Sequence, residues 1–277
     1  MDDIRVVQTE DRVILNTEPG AWAFDEHARR LSSALRIPVS PTPAKFNYVM
    51  AWEEGLPLPR GRSFIPFEGM RLASDKRLLA ECFLKRGVPT PQTYLVEERS
   101  EVWSLVEQER SVEWCLKWPI SCGGSGHRLI ITAESVPEDW PRPYVVQEFI
   151  RLEVPAVFRT YAAGGEIFGW NVRKFPAGVL TSEWVAHARG ARYVVLDRGP
   201  EEAIAAARRA LEASVLIDSF GCVDLIQRVT GEWVVLEVGT DGIYNHVDRE
   251  IGNEAFEREL DERVAGAFWK WVSTSPF

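Results

Sequence analysis

The sequence predicts a mixed α/β (α+β) chain built as more than one domain. Short apolar, β-branched runs alternate with capped amphipathic stretches, and glycine and proline punctuate the joins. A length of 277 residues allows roughly two domains at about 150 residues each. The hydrophobic fraction of 45% and charged fraction of 26% are those of an ordinary globular protein.

Composition removes several function classes. A net charge of −9 argues against a nucleic-acid partner, because phosphate backbones need a basic surface. No run approaches the ~20 apolar residues that span a bilayer. Met1-Asp2-Asp3-Ile4-Arg5 has neither the basic nor the apolar region of a secretory signal. A cytoplasmic protein without a membrane partner is expected. Cys82, Cys115, Cys122 and Cys222 form no CxxC pair and have no neighbouring histidine, so they read as reduced thiols rather than a zinc site. The eleven tryptophans are spread along the chain and read as core and pocket material.

Three blocks are visible, covering residues 1–72, 73–145 and 146–277. In the first, Val6-Val7 with Val13-Ile14-Leu15, and Tyr48 to Ala51, are strand-like. Asp25 to Leu35 carries a helical stripe of Ala28, Leu31 and Leu35. Prolines at 38, 41, 43, 57, 59 and 66 predict loops between them. The second block opens on a helix capped at Ser74, with Asp75 at its dipole and Gly87 and Pro89 at its end. Strand-like Tyr94-Leu95-Val96, a helix near Val102–Gln108 and strand-like Cys115 to Trp118 follow. A glycine-rich turn, 121–126, leads to strands at Leu129–Thr132 and Tyr144–Gln147. The third block begins with a hairpin, Phe158–Ala162 and Ile167–Arg173, around Gly164-Gly165. Pro200 starts an alanine-rich helix ending near Ile217. Strands Cys222–Gln227 and Trp233–Gly239 turn at Thr230-Gly231, and a last helix runs from about Asn253 to Trp271.

Two constellations carry chemistry. Lys117 sits in an apolar strand with Leu116 and Trp118 on the opposite face, and an inward lysine calls for an anion. Gly123, Gly124 and Gly126 then allow backbone N–H groups to approach that anion. Lysine plus glycine loop is a phosphate grip, or else an edge lysine before a flexible hairpin; GxxxxGK[ST] is absent. Asp224 and Glu237 lie inside adjacent apolar strands, where carboxylates need a cation. Magnesium is one solution; pairing with Arg159, Arg173, Arg189 or Arg192 is the other.

In order, Ser74-Asp75-Lys76-Arg77-Leu78-Leu79, Gly87-Val88-Pro89-Thr90-Pro91, Leu116-Lys117-Trp118-Pro119, Val146-Gln147-Glu148-Phe149-Ile150, Phe158-Arg159-Thr160-Tyr161, Asn171-Val172-Arg173-Lys174, Gly221-Cys222-Val223-Asp224-Leu225 and Leu236-Glu237-Val238 resemble the ATP-grasp superfamily. Within it they look most like the ribosomal-protein-glutamate and lysine-biosynthesis carboxylate–amine ligases. Each motif is weak singly; the register over residues 73–242 is what makes the resemblance specific. It implies a small N-terminal α/β domain, a central subdomain with the phosphate loop and a C-terminal subdomain, the last two sandwiching ATP. It also implies an ATP- and Mg2+-dependent ligase that activates a carboxylate as an acyl phosphate and joins it to an amine, on a small molecule or a peptide. Lys76 and Lys117 would hold phosphates under a loop of Gly123, Gly124, Ser125 and Gly126. Gln147, Glu148, Phe149 and Ile150 would lie beside adenine, and Glu153 near the ribose. Arg159 and Arg173 would face the reacting centre, and Asp224 and Glu237 would bind magnesium. Trp22, Trp52 and Arg71 fall in the domain that lines the substrate side. Such relatives commonly form dimers or tetramers, which makes a homodimer one expected assembly.

Two positions depart from the family. Gly239 stands where Glu-x-Asn supplies a metal ligand, and Asp241 or Asn245 can offer that oxygen instead. Trp184 to Gly190 lacks the asparagine that precedes a basic-glycine loop; His187 is either its replacement or a loop histidine. Two alternatives to a ligase stay open at this point: an ATP-grasp phosphotransferase, and a catalytically degenerate nucleotide-binding scaffold or sensor.

Overall fold

The computed structural model describes residues 11–16, 22–51, 60–121, 126–179, 181–240 and 254–275; the Val6-Val7 run and the side chains of Trp22 and Trp52 lie outside them. Three sheets organise the described residues. The first is parallel, in the order β2 (Val39–Ser40), β1 (Arg12–Asn16), β3 (Phe46–Ala51), β4 (Arg62–Ser63). Helix α1 (Trp22–Leu35) makes the crossover from β1, and its stripe of Ala28, Leu31 and Leu35 is buried. Parallel neighbours need such a connection, because a tight turn can only reverse the chain.

Helix α2 (Phe67–Ser74) occupies a stretch where the prolines suggest only loop. Pro66 stands at its N-cap, where a missing N–H costs nothing. Helix α3 (Lys76–Arg86) starts one residue later than the serine predicts. Asp75 is its cap and accepts from the Arg77 N–H at 2.9 Å, while Ser74 closes α2 by donating to Met70 O. A carboxylate outcompetes a hydroxyl for this role. Gly87, at φ +64°, ends the helix in the left-handed conformation.

The second sheet is antiparallel, ordered β5 (Thr93–Val96), β8 (Tyr144–Glu148), β6 (Trp114–Lys117), β7 (His127–Leu129). Leu116, Trp114, Tyr144 and Val146 face helix α4 (Arg99–Gln108) and form one small core with Val102 and Trp140. Cys115, Lys117 and Gln147 therefore occupy the other face.

The third sheet is antiparallel, ordered β11 (Arg192–Leu196), β10 (Glu166–Lys174), β9 (Ala156–Ala163), β12 (Phe220–Gln227), β13 (Trp233–Gly239). Val223 and Leu225 join the main core with helix α5 (Glu201–Ala213), whose alanines 203, 206, 207 and 210 are buried against it. The small side chains let helix and sheet approach closely. Helix α6 (Glu254–Thr274) returns to the first sheet: Phe46 meets Trp271 and Phe64 meets Phe268, each with ring centroids 5.7 Å apart. Arg30 of α1 is bonded to Asp261 of α6 at 2.9 Å. The first and third sheets thus share one continuous core. No helix among the described residues is long and apolar enough to cross a membrane.

Candidate active site

The free faces of the second and third sheets enclose a cleft of about 390 Å³. On one wall stand Lys117 and Gln147; on the other, Arg159, Arg173, Asp224 and Glu237. Lys76, from the first turn of α3, reaches the same cleft, and its Nζ donates to Ser121 O at 2.6 Å. Lys117 is 9% exposed, with Leu116 and Trp118 turned away as strand alternation requires. Gly126, at φ +68°, ends the glycine turn, and its carbonyl accepts from Trp118 N–H at 2.8 Å. Gly123, Gly124, Ser125, Asp241 and Asn245 lie outside the described residues.

Sheet register brings the charged residues together. Glu237 is opposite Asp224, which is opposite Arg159, which is opposite Asn171. The β12–β13 ladder shifts between Asp224 and Leu225, a bulge of the kind that re-aims a side chain. Arg159 donates from Nε and Nη2 to the two oxygens of Asp224 at 2.6 and 3.0 Å. Arg173 adds a third bond to Asp224 at 3.1 Å, and holds Tyr193 Oη at 2.8 Å and Val185 O at 2.9 Å. The arginine alternative for Asp224 is therefore realised, by Arg159 and Arg173; Arg189 and Arg192 are exposed.

Asp224 is 2% exposed. Burial alone would raise its pKa, but Arg159 and then Arg173 outweigh it and hold the carboxyl below its ordinary range. Burial would likewise discharge Arg159, and Asp224 reverses that effect, keeping the guanidinium charged. Cys115 also lines the cleft; burial pushes its thiol up to about 11, so it is a neutral wall and not a nucleophile. Cys82, Cys115 and Cys222 are free thiols.

The other end of the cleft is apolar, with Ile150, Leu152, Val157, Ile226 and Leu236 among its lining. Phe149 and Ile150 line it too, and the Phe149 N–H donates to Glu113 O at 2.7 Å. That residue can therefore offer a ligand its carbonyl, not its N–H. Glu148 lines the cleft with its carboxylate turned to Arg228. Glu153 is exposed and is not part of the lining; Arg71 is also exposed. Asn171 is fully buried at 3.4 Å from Tyr161 Oη, and its Oδ1 has no hydrogen-bond partner among the described residues.

Sequence reasoning leaves out three participants. Trp184 packs edge-on against Phe149 and His127, at 5.0 and 5.2 Å between centroids, and so bridges the two walls. Tyr193 Oη accepts from Arg173, and Arg228 donates to the Glu148 carboxylate. Tyr193 lies in β11, Arg228 just after β12 and Trp184 in the segment before β11, and none of these positions carries a motif. His187 lines the cleft beside Trp184.

The architecture matches solved structures over nearly its whole length. D-cycloserine synthetase DcsG superposes with a TM-score of 0.67 at 17% identity, covering 94% of this chain and 99% of that one. The RimK-domain ATP-grasp protein from Sphaerobacter thermophilus gives 0.65 at 16% identity over 92% and 98%. D-alanine–D-alanine ligase from Bacillus anthracis, solved with ATP, gives 0.65 at 11% over 95% and 98%. This chain has the ATP-grasp fold. No protein-family model and no curated protein sequence matches it.

Proposed function

We propose that the protein is an ATP-dependent ligase that activates a carboxylate as an acyl phosphate and joins it to an amine, on a small molecule or a peptide. One observation carries this reading: a single cleft offers Lys76, Lys117, Arg159 and Arg173 at one end and an apolar slot beside Phe149 and Ile150 at the other. That polarity suits a nucleotide, with phosphates at the cations and base in the slot. The Phe149 carbonyl and Ile150 N–H would read the base edge, while Lys76 and Lys117 would hold phosphates.

A carboxylate attacking a phosphoryl group brings two anions together, so positioning and charge neutralisation supply most of the catalysis. Arg159 and Arg173 would perform the neutralising role. The step forms a carboxyl–oxygen to phosphorus bond and releases ADP; an amine then displaces phosphate and the amide forms. Trp184 and the 126 turn would exclude water meanwhile.

The donor set fits a magnesium ion through Glu237, which lines the cleft and takes part in no ion pair among the described residues. Magnesium needs only one or two carboxylates besides phosphate oxygens and water. Asp224 would join once it gives up an arginine contact, since both its oxygens accept guanidinium bonds. Among the described residues no cluster of three or more metal-ligating side chains exists, which is consistent with phosphates completing the shell. The ion would neutralise charge on the transferring phosphoryl group.

Calorimetric titration of ATP, with and without magnesium, into wild type and Glu237→Gln tests the reading. Binding that depends on both magnesium and Glu237 supports it, and ADP release requiring both a carboxylate and an amine completes it. Binding indifferent to both points to a degenerate nucleotide module. No binding removes the proposal.

A further inference from the structure

Arg228 lies just after β12, where its backbone is fixed by a tight turn: its N–H donates to Glu232 O and its carbonyl accepts from Gly231 N–H, both at 2.8 Å. Its guanidinium crosses from the third sheet to the second. Nη1 and Nη2 donate to the two oxygens of Glu148 at 2.5 and 2.6 Å, and Nε lies 3.3 Å from Glu232. Glu148 ends β8 and immediately precedes Phe149 and Ile150. Its carboxylate also accepts from Gln92 N–H at 3.1 Å, and its own N–H donates to Gln92 O at 2.8 Å. The pair is only 23% and 17% exposed. A second crossing lies nearby, where Val235 N–H donates to Pro89 O at 2.8 Å. The two walls of the cleft are thus pinned at the apolar end.

A forked, charge-assisted pair fixes geometry as well as distance, and a lysine cannot reproduce the fork. We propose that Arg228 is a positioning residue: by gripping Glu148 it seats the 147–150 segment against the third sheet and so sets how tightly the base of a nucleotide is held. The inference rests on the nucleotide reading above. It concerns only the base, because the pair's side-chain bonds among the described residues run to Gln92, Glu232 and each other and not to Lys76, Lys117, Arg159 or Arg173.

The test compares two magnesium-bound probes by calorimetry on the full chain: ATP, and inorganic tripolyphosphate, which has the phosphates without the base. For Arg228→Ala the ATP affinity should fall roughly ten-fold while tripolyphosphate affinity stays within about two-fold. Arg228→Lys should recover part of the loss. Glu148→Gln should match Arg228→Ala, and the double variant should lose no more than either, the signature of two residues acting as one unit. A purely structural role would lower both affinities in proportion, and that outcome overturns the proposal. So does a wild type that binds the two probes equally, since there is then no base contact to serve. A wild type that binds neither probe overturns the nucleotide reading itself.

Discussion

Asp224 and Glu237 stand opposite each other on adjacent strands, yet only Asp224 is clamped by arginines. The strand bulge beside them and the reach of Arg159 and Arg173 make the difference. One carboxylate is a structural counter-ion, and the other faces the cleft without an ion pair among the described residues. They should respond differently to mutation.

Asp224→Asn leaves two buried guanidinium groups without their anion. Breaking such a pair costs about 3–5 kcal/mol, which lowers Tm by roughly 10 °C in a chain of this size. The effect has a definite pH dependence. The Asp224 pKa is lowered in the folded state, so its contribution is complete above the unfolded pKa of about 4 and is lost as pH falls below it. Thermal melts of both proteins should therefore differ most at neutral pH and converge toward acid.

Lys117→Ala should behave in the opposite way. Lys117 is 9% exposed in a strand whose other face is apolar, so removing its charge relieves a desolvation cost. Tm should hold or rise while ATP affinity falls by about ten-fold or more. A variant that binds ATP as well as wild type does would remove Lys117 from the phosphate site.

Gly126→Ala tests the turn before β7. The residue has φ +68°, and an added Cβ would lie 2.5 Å from Trp118 Cβ. That atom is too close to the backbone to swing away, so the turn must shift and the Gly126 O bond to Trp118 N–H must break. Tm should fall by a few degrees, as for ~1–2 kcal/mol of strain, with a larger loss in ATP affinity than the melt implies.

Val215 offers a gain. It has φ +55° and is 45% exposed at the turn after α5, a backbone region costly for a β-branched side chain. Val215→Gly should raise Tm by about 2 °C, the relief of left-handed strain exceeding the entropy that glycine adds to the unfolded chain. Nucleotide binding should not change. An unchanged or lower Tm refutes the strain.

Much of the fold is legible in the sequence because its signals are local. The α1 stripe, Gly87 at the end of α3 and the Gly164-Gly165 hairpin each depend on residues a few positions apart. The adjoining α2 and α3 were harder: six scattered prolines look like loop, yet Pro66 initiates a helix, and Ser74 and Asp75 compete for one cap within two residues. For the site, strand alternation gives the facing of Lys117 and Arg173. It cannot give register, and register decides that Arg159 meets Asp224 while Glu237 meets no arginine among the described residues. Trp184, Tyr193 and Arg228 are harder still, because their partners lie on other strands or another sheet and no spacing announces them.

Helix α6 contributes Phe268 and Trp271 to the core that Phe46, Tyr48 and Phe64 begin. The order of synthesis makes that placement consequential. The rings that cover the first sheet lie far along the chain from it, so they are translated long after it. Domains ordinarily fold as they emerge, amino terminus first; here the leading layer must wait, exposed, for the trailing helix. Nascent chains halted before residue 254 should leave the first sheet open to protease, and a stop codon there should cost that sheet as well as the helix.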